Sequence, residues 1–355
     1  MSSLTRSTPS PAEVATVAFL LEEDETRRRE EVAGRDRRIG LEIGADRARN
    51  PTVLDWLERA RSESPEAVRF QEQVETVLHG SNAAIALLGL VLGWLAALGA
   101  FFFDGSGRVN AIAVFAVLVL LPGLFLLLFG AAALPASAAE RVPGLSALSA
   151  LARGISPGRL SGLFARFMKA DTRRSWEVFA GQVRRHQALF AGLQKWMVLR
   201  GTQGFALCFQ IGALTAAAAL IVFTDLTFGW STTLTSGDPA EDVAVMHGIT
   251  SAVAAPWSWG VPVAAPDTAL IADSRYFRAA DTALDPVEAA RLGGWWPFLL
   301  ASITVYGILP RLCTLALAHQ RVRAHARSGL ASLPGVSGLL HRLRPDGWAM
   351  LGNQA

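Results

Sequence analysis

Apolar residues fall into two regimes along this chain. Four stretches are apolar on every side: 82–103, 111–134, 205–224 and 295–318, the last broken only by Arg311. A bilayer-crossing helix needs about 20 such residues at a rise of about 1.5 Å each. A buried core helix rarely stays apolar all round for that length. Elsewhere the pattern is periodic. VATVAFLL (14–21) reads as the buried stripe of a helix capped by SPAE (10–13), with Ser as cap, Pro in the first turn and Glu at the third position. That helix is expected to continue through LEEDETRRREE, where Glu23–Arg27, Asp24–Arg28 and Glu25–Arg29 are spaced for pairing. A second helix begins at NPTVLDWLERA. A third begins at SPEAVRFQ and runs past His79 into the first span without a break.

The most regular periodicity precedes the third span. Trp176, Phe179, Val183, His186, Phe190, Leu193 and Met197 step by three and four, a coiled-coil-like amphipathic helix with its basic residues off the stripe. Three uses of this stripe stay open: packing on the N-terminal helices, lying on anionic lipid, or serving as a partner-binding face. Within the first span Gly89, Gly93 and Ala97 recur every four residues, a helix-packing face that acts within the chain or in a homo-oligomer.

Composition agrees with the hydropathy pattern: 51% of residues are hydrophobic and 18% charged. The distribution of charge sets the expected topology. The connection 135–204 carries 11 basic and 3 acidic residues, 228–294 carries 3 and 8, and the tail from 319 carries 5 and 1. The positive-inside rule then predicts an all-α polytopic membrane protein with four transmembrane helices, N- and C-termini cytoplasmic, plus cytoplasmic helices. Its divisions are a cytoplasmic helical region (1–80), a transmembrane hairpin (81–134), a basic cytoplasmic region (135–204), a third span (205–227), an external acidic Trp/Pro-rich segment (228–294), a fourth span (295–318) and a basic cytoplasmic tail (319–355). No cleavable signal peptide is visible, so the first span is expected to act as the insertion signal. The external segment is expected to form short helices over the outer mouth, with Trp230, Trp257, Trp259, Trp295 and Trp296 as an interfacial belt.

Candidate chemistry is sparse. Cys208 and Cys313 read as packing residues, and no metal ligand set or cofactor motif is present in the sequence. The RRR run is neutralised by acids on the same helix, so no nucleic-acid partner is expected. Arg275 and Arg278 share a face if SRYFR is helical, suited to an anion or to neighbouring carboxylates. Asp225 ends the third span. In the fourth, Pro310 removes a helical hydrogen bond and Gly307 adds slack, so a kink is expected beside Arg311. Measured from Trp295, Arg311 lies about 24 Å along the helix, in the inner quarter of the bilayer. It is either a snorkelling anchor or a functional inner-mouth charge.

DLTFGWSTTL (225–234), Pro256–Trp257, SRYFR (274–278), YGILPRL (306–312) and FALCFQIGAL in the third span together resemble the bacterial domain-of-unknown-function family 2868. That resemblance implies a bacterial inner-membrane protein without an assigned activity. Members are often encoded beside a GTPase, which implies a membrane partner for a nucleotide-driven protein. The expected function is a non-enzymatic scaffold or receptor whose cytoplasmic helices engage a protein partner. The alternative is a channel or small-solute permease gated near Pro310 and Arg311.

Overall fold

Ser10 starts the first helix as its spacing predicts. Its hydroxyl accepts from the Glu13 N–H, and the Glu13 carboxylate accepts from the Ser10 N–H at 2.6 Å. The computed structural model describes residues 8–47, 52–102, 108–133, 181, 187–232, 237–276 and 290–343. It is mostly helical. Helix α1 (Pro11–Thr26) does not run on through the arginines; it stops where Arg27 turns extended, and α2 (Arg29–Arg47) begins anew. Glu23–Arg27 forms, but Asp24 turns across to Arg35 rather than to Arg28. A Thr52–Asp55 capping box opens α3 (Val53–Glu63). Helix α4 (Pro65–Ala100) then continues unbroken into the first span, as its sequence predicts.

After β1 (Val109–Asn110) the second span, α5, is α-helical over Ala111–Phe115 and Leu121–Ala133 and π-helical over Ala116–Leu120. The third span lies in α6 (Gln187–Phe223), followed by β2 (Phe228–Gly229). Two short helices follow, α7 (Pro239–Ala254) and α8 (Thr268–Asp273). The fourth span, α9, is α-helical over Trp296–Ser302 and Leu309–Ser332 and π-helical over Ile303–Ile308, and α10 (Val336–Leu343) closes the described chain. Among the described residues, four helices are long and apolar enough to cross a membrane. The one departure from an all-helical chain among the described residues is a two-residue parallel pairing of Val109 with Phe228 and Asn110 with Gly229, plus a bridge between Trp230 and Arg275.

The described residues gather into two compact units. One takes them from 1–82, 155–199 and 317–355; the other from 83–154 and 200–316. In the first, apolar residues of α1, α2, α3, α10 and the start of α6 share one core around the fully buried Trp56. At its centre sits Asp36, with no exposed surface. One carboxylate oxygen accepts from the Trp56 indole at 3.0 Å and from Arg35 at 2.9 Å; the other accepts from Arg342 Nε at 2.8 Å. Arg35 reaches on to Asp24 through two parallel bonds of 2.8 and 2.6 Å. Burial works against the charge on Arg35, but the Asp24 and Asp36 carboxylates outweigh it and hold its pKa above the ordinary value. The Asp36 carboxylate thereby ties α2, α3 and α10, and Arg35 extends the network to α1.

In the second unit, α4 and α6 approach backbone to backbone. A Cβ on Gly89 would strike the Phe205 carbonyl, one on Gly93 the Phe209 carbonyl, and one on Gly212 the Leu90 carbonyl. Ala97 completes the stripe against Ala213, Ala216 and Ala217. The predicted small-residue face is therefore used within the chain. Leu87, Leu95, Leu124 and Leu127 point outward, an apolar exterior suited to acyl chains.

Candidate functional site

Two prolines create the polar centre of the second unit. Pro122 has no N–H, so the Leu118 carbonyl four residues earlier loses its helical donor. The Gln210 side-chain amide, from α6, donates to that carbonyl at 3.1 Å. Pro310 does the same to the Tyr306 carbonyl in α9. In both helices the preceding turn widens: Leu121 N–H bonds to the Ala116 carbonyl and Leu309 N–H to that of Thr304, five residues back. The stretch ahead of Pro310, where a kink is expected, is thus a π turn, and α5 carries a second one.

Arg311 enters this centre directly after Pro310. Its guanidinium donates to the Gly307 carbonyl at 2.7 Å and to the Pro122 carbonyl on α5. The residue is only 1% exposed, so it does not snorkel outward; protein encloses it. Gly307 makes room for the cluster, since a Cβ there would lie 2.8 Å from the Gln210 amide carbon. One turn further, Thr314 donates to the Gln203 side chain at 3.2 Å. Gln203 and Gln210 are seven residues apart on one face of α6, and both are buried. Two glutamines at that spacing in an apolar span were the signal for this seam, and sequence reading passed over it.

Among the described residues no carboxylate pairs with Arg311. Its Nε has no acceptor, and the Gln210 Oε1 has no donor. The cluster therefore holds an unpartnered donor atom, Arg311 Nε, and an unpartnered acceptor atom, Gln210 Oε1, both buried. That is the chemistry of a site for a small protic molecule such as water. No group of His, Cys, Asp and Glu suited to a metal ion occurs among the described residues.

Arg311→Met separates a structural strut from a site residue. Burying a central Arg costs about 2.5–3.5 kcal/mol on insertion scales, and hydrogen bonds to a charged group return about 1.5–3 kcal/mol each. These nearly offset, so the variant is expected to unfold in a denaturing-detergent titration within about 1–2 kcal/mol of the parent. A loss above about 3 kcal/mol would make Arg311 a strut.

The other candidates lie elsewhere. Asp225 is exposed at the end of the third span. Arg275 forms an ion pair with Asp242 and lies 5.8 Å over the Trp230 ring, which matches a local ion pair rather than a free anion site. Arg278 falls outside the described residues, as do Trp176, Phe179 and Val183. Phe190 and Leu193 are buried in the core of their own unit, with Met197 packed against it. That part of the stripe is consumed internally and is not a partner-binding face. Three of the five belt tryptophans also depart from expectation, while Trp259 and Trp296 are exposed. Trp230, Trp257 and Trp295 are buried, each with its indole N–H bonded inside the protein, to Ile271 O, Ala264 O and Ser274 Oγ. They are core residues rather than an interfacial belt.

A family model described as "Protein of unknown function (DUF2868)" matches residues 162–355. The chain belongs to this family. No curated protein and no solved structure matches it. The part that DUF2868 covers holds the third and fourth spans and the segment between them, while the first two spans precede it. Within that part, DLTFGWSTTL meets SRYFR and the Pro256–Trp257 pair meets the start of YGILPRL, while Arg311 and the third-span motif belong to the Gln210 cluster. Trp230 pairs through its backbone with Ser274 and Tyr276 at 3.0 and 3.1 Å, and Trp257 meets the Tyr306 ring edge-on at 5.8 Å. As a DUF2868 member, the chain thus builds one aromatic and hydrogen-bonded cluster from motifs scattered over some eighty positions (about two-ninths of the chain).

Proposed function

We propose that the protein is a non-enzymatic scaffold or receptor of the bacterial inner membrane, whose first unit faces the cytoplasm and engages a protein partner. The observation that carries this reading is the first unit itself. Its described residues form a helical body with a shared apolar core and a charged exterior on α2 and α3. The charge asymmetry of the connections supports the orientation, with both termini inside and the acidic segment outside. A GTPase as partner follows from the family resemblance alone. The partner would dock on the exterior of this unit, because the Phe190–Leu193 stripe is already occupied. Photo-crosslinking side chains placed at the exposed Leu41 and Arg323 in native membranes test the reading. The expected product is a covalent complex with a GTP-hydrolysing protein; recovery of self-contacts alone would count against it.

The Arg311–Gln210 cluster favours a second reading, a small-solute permease. Liposome flux that disappears in the folded Arg311→Met variant would support it, and flux equal to that of empty liposomes in the parent protein would remove it.

A further inference from the structure

Between the third and fourth spans, residues 243–266 contain no Asp, Glu, Lys or Arg. They form most of α7 and the turn that follows it. The position of this piece along the fourth span is fixed by two contacts within the second unit. The Tyr306 hydroxyl donates to the Val253 carbonyl at 2.8 Å, and the Trp257 ring packs against both Tyr306 and Phe298. Tyr306 lies about 16 Å along α9 from Trp295. The start of α7 is held at the other level, where Asp242 pairs with Arg275 and Arg275 bridges to Trp230. Helix α7 therefore descends alongside the fourth span from its Trp295 end, instead of lying across that end.

Its outward face is apolar except for Ser251. Val245, Ile249 and Ala252 follow one another at helical spacing, and Trp259, Val261 and Val263 extend the same surface past the turn; Trp259 is 87% exposed. In water such a surface would be costly. In a bilayer the cost falls instead on unpaired backbone groups. Here much of the turn's backbone is bonded within the turn. The N–H groups of Trp257 and Ser258 bond to Ala254 O, those of Gly260 and Val261 to Trp257 O, and that of Ala264 to Val261 O, all within 2.8–3.0 Å. Pro256, Pro262 and Pro266 have no N–H to satisfy. The indole of Trp257 bonds to Ala264 O, and even that of the exposed Trp259 bonds inward, to Pro256 O at 3.0 Å. Thr250 turns its hydroxyl back onto the Met246 carbonyl at 3.0 Å.

We propose that α7 and the turn to Ala264 form a re-entrant element that dips into the bilayer beside the fourth span, its Val245–Ile249–Trp259–Val263 surface covered by lipid acyl chains. The occupant follows from continuity. This surface lies at the depth of a spanning helix, carries no charged side chain over 243–266, and is apolar like the outward faces of the spans. On this proposal residues 243–264, about a third of the 228–294 segment, are membrane-embedded.

The test uses the full-length protein in phosphatidylcholine vesicles. Nitroxide labels go on single cysteines replacing Ile249 and Val263, with Cys208→Ser and Cys313→Ser removing the native thiols. Glu241→Cys at the exposed start of α7 serves as the aqueous reference and Leu124→Cys on α5 as the lipid reference. Collisions with a water-soluble relaxing agent are expected to fall at 249 and 263 to the level at 124, while collisions with oxygen rise to match. Aqueous accessibility equal to that at 241 would overturn the proposal, and so would shielding from both agents, which would mean a protein covers the face. The unsubstituted protein gives an independent result. With phosphatidylcholine carrying a photoreactive acyl chain, adducts are expected on the 243–263 peptide as on the spans; adducts on the spans alone would also overturn it.

Discussion

Gly93→Leu is expected to prevent assembly of the membrane unit. The loss should appear as the disappearance of a monodisperse, cooperatively unfolding species after detergent extraction. The obstacle at Gly93 is backbone: any Cβ collides with the carbonyl of Phe209 and crowds the amide of Ala213. Overpacking a core costs about 1–3 kcal/mol when side chains can yield. Two helix backbones cannot yield without separating, and separation would also undo the neighbouring approaches at Gly89 and Gly212. The expected cost therefore exceeds about 3 kcal/mol, a large part of a typical stability of about 5–15 kcal/mol. Gly99→Ala is the control on the same helix, because nothing lies within 4 Å of a Cβ there. Normal extraction of Gly93→Leu would show that α4 and α6 do not meet at this face.

Asp36→Ala should be nearly as damaging, but in the other unit. Removing one partner of a buried ion pair costs about 3–5 kcal/mol, because the remaining charge is left uncompensated. Here one carboxylate satisfies Arg35, Arg342 and the Trp56 indole together. Its loss is expected to lower the thermal midpoint strongly and to make α10 an early site of proteolysis, since Arg342 fastens that helix. Asp36→Asn keeps the shape and one acceptor, so it should fall between. Equal melting of Asp36→Ala and the parent, with α10 equally protected, would refute the role given to this network.

The spans were legible because a bilayer demands one property over a continuous length, and hydropathy reports it directly. The Gly89–Gly93–Ala97 face was legible for a similar reason: close approach needs small residues at a fixed period. Three features were hidden. Asp24 has an arginine at i+4, but the helix breaks between them and the partner lies eleven positions on, in α2. Trp295 and Trp230 carry the composition of an interfacial belt, and only tertiary hydrogen bonds to Ser274 and Ile271 distinguish a core indole from a belt indole. Arg311 was read by depth along the axis, which fixes how far a side chain must reach but not which way it faces. Its burial depends on rotation about the helix, and the acceptors it finds are backbone carbonyls, which no sequence motif marks.

That rotation has a source in the fourth span. A π turn closes five residues where an α-helix closes four, so the stretch ahead of Pro310 holds one residue in surplus. One residue of α-helix is about 100° of turn. Every side chain beyond Ile308 is thus aimed about 100° away from where an uninterrupted helix would send it. A chain shorter by a single residue there would keep its composition, its apolar length and its arginine, and would swing that arginine away from Pro122 and Gln210. The bearing of the charge is set by a count of residues, a quantity to which a hydropathy profile is blind.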